Sequence, residues 1–77
     1  MLKNIRVTDK AVAQADPDVQ AAVNEVAAKL GDTGRILVRE SGTEPVIRVM
    51  VEAESQEICQ EYVEYVVSAI RRKGHAV

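Results

Sequence analysis

Seventy-seven residues make one small domain, near the lower limit for folding without a covalent or metal staple, and with no Phe or Trp the core falls to Val, Ile, Leu, Ala, Met and two tyrosines. That is enough for one layer of helices on one sheet, and it excludes a deep cleft walled on all sides. A formal charge of −2 argues against duplex nucleic acid as the main partner, no run approaches the roughly 18 apolar residues of a membrane span, and the lone Cys59 suits a reducing, cytoplasmic compartment.

In chain order, residues 2 to 8 alternate as a strand does, with Ile5 and Val7 on one face. Asp9 to Asp16 reads as a connector whose Ala11, Val12 and Ala13 pack on the sheet edge. Asp16-Pro17-Asp18 is a helix start: an N-cap, a proline at the first helical position, and an acid in the first turn. Capping accounts for both aspartates without a metal. Apolar residues recur at Val19, Ala22, Val23, Val26, Ala27 and Leu30, a helical stripe that Gly31 ends. Gly31 to Gly34 is a turn.

Arg35 to Arg39 and Val46 to Ala53 form two strands of an antiparallel hairpin. On the second, Ile47, Val49, Val51 and Ala53 face one way and Arg48, Met50 and Glu52 the other. Ser55 caps a closing helix whose stripe is Cys59, Tyr62, Val63, Val66, Val67 and Ile70. Arg71, Arg72 and Lys73 complement its C-terminal dipole before Gly74. His75 falls in a frayed, inert tail, and Cys59 is a buried core thiol. The order β-α-β-β-α defines an α+β two-layer sandwich, an antiparallel sheet with two helices on one face.

The chemistry concentrates between Arg39 and Arg48. A phosphate needs donors that converge. Gly42 in a positive-φ conformation turns successive N–H groups toward one point, and Ser41 and Thr43 add hydroxyls beside it. Arg39 reaches a phosphate with two parallel N–H bonds, and Arg48 adds charge or locks an acidic loop residue. Pro45 stiffens the exit from the loop. Glu44 is expected to turn back to Arg48 or a loop N–H, and Glu40 to face solvent. An ordinary Ser-Gly-Thr hairpin loop with strand arginines is the plain alternative on these residues alone.

Arg39-Glu40-Ser41-Gly42-Thr43-Glu44-Pro45, followed by Ile47-Arg48-Val49-Met50-Val51-Glu52, resembles the C-terminal phosphate-binding loop of the α-D-phosphohexomutases. The Asp16-Pro17-Asp18-Val19 helix start and the closing helix fit the same family, so the resemblance spans essentially all 77 residues. It implies the fourth domain of a four-domain enzyme, a mobile lid that grips the substrate phosphate. The branch it resembles most interconverts glucosamine 6-phosphate and glucosamine 1-phosphate through a bisphosphorylated intermediate for cell-wall precursors; branches acting on mannose or glucose phosphates are the same-class alternative.

Carried onto this sequence, Arg39, Ser41, Gly42 and Thr43 are the implied phosphate contacts, with Glu44 and Arg48 in support. The implied partners are a phosphorylated amino sugar and the remaining domains of the parent enzyme, with neither nucleic acid nor membrane. The family's phosphoserine, Mg2+-binding aspartates and sugar-reading loop belong to the other three domains. The resemblance therefore implies Mg2+ for the parent enzyme, none in this chain, no catalytic residue here, and no turnover by these 77 residues alone. An RNA-binding module of this fold needs exposed aromatics on its central strands, and neither hairpin strand has one. An interaction domain is disfavoured by the charged sheet face bearing Arg48 and Glu52.

Overall fold

The computed structural model describes all residues from Met1 to Val77. Three strands, β1 (Leu2–Arg6), β2 (Arg35–Glu40) and β3 (Val46–Glu52), form an antiparallel sheet in the order β1-β3-β2. Helices α1 (Lys10–Ala15), α2 (Pro17–Leu30) and α3 (Gln56–Arg72) join it, with a single 3-10 turn at Gly31–Thr33. The α+β sandwich expected from the sequence is the fold found, with one helix more than expected.

That extra helix occupies the connector. Asp9 accepts hydrogen bonds at its Oδ1 from the N–H groups of Ala11 and Val12, so the backbone after it winds rather than lying along the sheet. Ala13 points into the core, and Gln14 Nε2 donates to the Val38 carbonyl at 2.9 Å. This places α1 against β2 and covers the open rim of that strand. Asp16 ends α1 and begins α2, its Oδ1 receiving the Asp18 N–H at 2.8 Å. Ser55 Oγ caps α3 through the Ile58 N–H.

The core lies between the sheet and the helices, and every buried residue in it is apolar. Ile47, Val49 and Val51 of β3 meet Val19, Ala22, Val26 and Leu30 of α2 and Cys59, Val63, Val66, Val67, Ala69 and Ile70 of α3. The α2 stripe is narrower than the sequence suggests, since Val23 is half-buried and Ala27 exposed. Val23 borders the core, packed against it without being enclosed. Gly34 is required by a close approach: a Cβ there would stand 2.1 Å from the Glu52 carbonyl oxygen.

The C-terminal tail is not frayed. His75 Nε2 lies 2.7 Å from Asp16 Oδ2, with the two side chains only 14% and 10% exposed. The Thr8 N–H donates to the His75 carbonyl, the Val77 N–H donates to the Arg6 carbonyl, and Val7 bridges Ala76. No carboxylate neighbours His75 along the chain, which is why the sequence alone predicts an inert side chain there. Folding brings one from 59 positions away.

Candidate functional site: an arginine pair beside the β2–β3 loop

Residues directly opposite each other in an antiparallel pair share a face. Arg39 on β2 stands opposite Arg48 on β3, and Arg48 in turn stands opposite Asn4 on β1. Both arginines are exposed on the outer face of the sheet, away from the helices, and neither forms an ion pair. Like charges directly across a ladder destabilise it. With Leu2, Leu37 and Met50 the two line a shallow groove of about 210 Å3. A larger depression of about 430 Å3 between α2 and α3 includes no residue of the loop, and its charges are mixed.

The loop from Ser41 to Pro45 closes tightly. The Ser41 N–H donates to the Val46 carbonyl at 2.9 Å and the Val46 N–H to the Glu44 carbonyl at 2.8 Å. Ser41 Oγ accepts from the N–H groups of Thr43 and Glu44, both at 3.4 Å, long contacts that an incoming anion can replace. Pro45 offers its carbonyl to the Val7 N–H at 2.8 Å, which pins the loop exit to the end of β1. Gly42 and Thr43 are exposed, and the Ser41 side chain is half-buried.

Two expectations for the loop need correction. Gly42 does not have a positive φ; only Gly31 and Gly74 do. No nest of successive N–H groups forms, because the Ser41 hydroxyl gathers the Thr43 and Glu44 N–H groups instead. Nor does Glu44 turn back onto Arg48. Its carboxylate forms no ion pair, because Glu44 is exposed in the loop while Arg48 sits two residues into β3, in register with Arg39 and Asn4. Glu40 is exposed as expected.

Two cations near the site escaped the sequence reading. Arg6 stands opposite Val46, on the same outer face as Arg48, and is likewise free of ion pairs. The alternation that put Ile5 and Val7 inward already placed Arg6 outward, so the signal was there. Lys10, the first residue of α1, sets its Nζ 2.5 Å from the Ser41 carbonyl oxygen. An N-cap aspartate followed by helix formers was the available sign of α1, but its contact with the loop is tertiary.

Several carboxyls elsewhere are held below their ordinary range by neighbours: Asp16 chiefly by the hydrogen bond to His75, Glu52 by Arg35, and Glu64 by Lys3. Arg35 makes two contacts to Glu52, at 3.0 and 3.2 Å. No group of three or more His, Cys, Asp or Glu side chains is placed to hold a metal ion. No helix is long and apolar enough to cross a membrane.

Residues 2–69 match the model of the phosphoglucomutase/phosphomannomutase C-terminal domain, and the chain belongs to that family. Among its relatives, it is 66% identical over all 77 residues to a phosphoglucosamine mutase of Lachnospira eligens and 54% identical over 74 residues to that of Mycobacterium ulcerans. It spans 17% of the length of each, covering 100% and 96% of its own. The crystal structure of Aspergillus fumigatus N-acetylphosphoglucosamine mutase in complex with GlcNAc-6P and magnesium superimposes on 96% of the chain and 15% of its own, with a TM-score of 0.79 and 25% identity.

Proposed function

We propose that this domain grips the phosphate of a phosphorylated amino sugar as the lid of a four-domain phosphoglucosamine mutase. In that enzyme glucosamine 6-phosphate and glucosamine 1-phosphate interconvert, and the reacting groups lie outside these residues. The observation that carries the reading is the cross-strand Arg39–Arg48 pair. Two guanidinium groups on adjacent strands, with no carboxylate between them, leave their donors free to take a tetrahedral dianion. The Ser41 and Thr43 hydroxyls and the Gly42 N–H complete the donor set. Glu44 supports the loop through its backbone, its carbonyl receiving the Val46 N–H.

The relatives' names support the choice of an amino sugar over mannose or glucose phosphates. The RNA-binding alternative lacks a stacking platform, because the outer sheet face carries Leu2, Asn4, Arg6, Leu37, Arg39, Arg48 and Met50 and no aromatic ring. A few charge-assisted bonds of about 1.5–3 kcal/mol each set against association costs of about 4 kcal/mol or more predict millimolar affinity for the domain alone. Titrating the labelled 77-residue chain with glucosamine 6-phosphate should shift NMR signals of Arg39, Ser41 to Thr43 and Arg48. Shifts clustered elsewhere would reject the reading. A coupled assay is expected to show no turnover by this chain; measurable turnover would place catalytic groups within it.

A further inference from the structure

We propose that Lys10 is a positioning residue for the phosphate grip: by holding the Ser41 carbonyl, it turns the Ser41–Gly42 peptide so that the Gly42 N–H stands free toward the ligand. This inference rests on the phosphate-binding reading above. In a planar trans peptide the C=O and the following N–H point in opposite directions. The 2.5 Å contact from Lys10 Nζ draws the Ser41 carbonyl toward α1, so the Gly42 N–H is directed away from α1.

The hydrogen bonds of the loop agree. The N–H groups of Ser41, Thr43, Glu44 and Val46 all donate within the loop or to its closing strand, and Pro45 has none. The Gly42 N–H alone has no acceptor. Glycine geometry does not impose this orientation, since Gly42 has no positive φ and a Cβ at its position would touch nothing within 4 Å. The lysine is itself well placed to act as an anchor. Its helix is capped by Asp9 and fastened to β2 by Gln14 on the Val38 carbonyl, so α1 grips the chain at Val38 and again at Ser41. Arg39 lies between those two points. Lys10 forms no ion pair, so no carboxylate competes for its ammonium group.

The test uses the labelled chain, its Lys10→Ala, Lys10→Arg and Arg48→Ala variants, and inorganic phosphate. Without phosphate, Lys10→Ala should move the Ser41 carbonyl carbon and the Gly42 amide signals. With phosphate it should weaken binding roughly tenfold, the scale of one charge-assisted hydrogen bond. Lys10→Arg should restore most of both effects, whereas Arg48→Ala should weaken binding and leave the two ligand-free signals in place. Should Lys10→Ala fail to fold, a coupling across the hydrogen bond from Lys10 15Nζ to Ser41 13C′ in the unsubstituted chain decides instead: its presence supports the assignment and its absence overturns it. Unmoved Ser41 and Gly42 signals in a folded Lys10→Ala also overturn it. So does transfer of the Lys10 ammonium onto added phosphate, which would make it a direct ligand. If the unsubstituted chain shows no phosphate shifts at all, the grip reading fails on its own, while the ligand-free signals still report whether Lys10 sets the peptide.

Discussion

The β2–β3 hairpin carries two cross-strand pairs on the same outer face, four residues apart along β2. At one end Arg35 faces Glu52, and the guanidinium meets the carboxylate through two contacts. At the other end Arg39 faces Arg48, and neither has a carboxylate. The ladder, the face and the side-chain type are shared, so strand chemistry does not separate the two ends. What differs is position relative to the Ser41–Pro45 loop. Away from the loop, opposite charges meet; beside the loop, like charges are held together. The sheet tolerates that arrangement because its other face is clamped by Ile47, Val49 and Val51, each at most 1% exposed.

Making the two ends alike is the sharpest way to break this comparison. Arg48→Glu gives the loop end the same pairing as the far end, and phosphate binding should disappear up to tens of millimolar while the fold is kept or slightly stabilised. NMR titration and urea unfolding together report both halves of that outcome. The next effect belongs to the far end. Gly34→Ala drives a Cβ into the Glu52 carbonyl, and the strand shift it forces should cost about 1–3 kcal/mol, read as a lower urea midpoint with phosphate contacts retained.

Acid should act on the Arg35–Glu52 end of the hairpin, on the Asp16–His75 contact and on the Lys3–Glu64 pair. Asp16, Glu52 and Glu64 all have carboxyls held below the ordinary range, so each contributes stability that is complete above the usual carboxylate pKa and is lost as pH falls through the lowered folded value. Unfolding midpoints are therefore expected to be level near neutrality and to drop below about pH 4. In His75→Ala the chief cause of the Asp16 depression is gone, so its carboxyl carbon should titrate nearer the usual range. The smallest change is expected for Glu52→Gln: a slight loss of stability that added salt erases, since both partners are exposed.

Local chemistry was legible in the sequence wherever neighbours along the chain decide it. Asp16-Pro17 and Ser55 announced their helices, and the alternation of Ile47, Val49 and Val51 announced the buried face of β3. The loop between β2 and β3 was legible as the turn of a hairpin. Contacts set by tertiary placement were not legible. That β1 lies beside β3 rather than β2, and so brings Asn4 and Arg6 near Arg48, depends on which edge of the hairpin is free. The His75–Asp16 pair depends on where α3 ends. Gly42 shows the limit of residue type itself, because its freedom to adopt a positive φ goes unused once the Ser41 hydroxyl satisfies the following N–H groups.

The strand order also bears on the order of assembly. β2 and β3 are separated by only a short loop, while β1 must find β3 from about half the chain away. Local pairings close quickly and distant ones slowly. The hairpin with its arginine pair should therefore form early, and β1 and the C-terminal tail should dock onto it later, sealing the rim of the sheet. In kinetic terms the β2–β3 loop is expected to close within the nucleus, so substitutions within the β2–β3 ladder should slow refolding, whereas those in β1 or the tail should mainly speed unfolding.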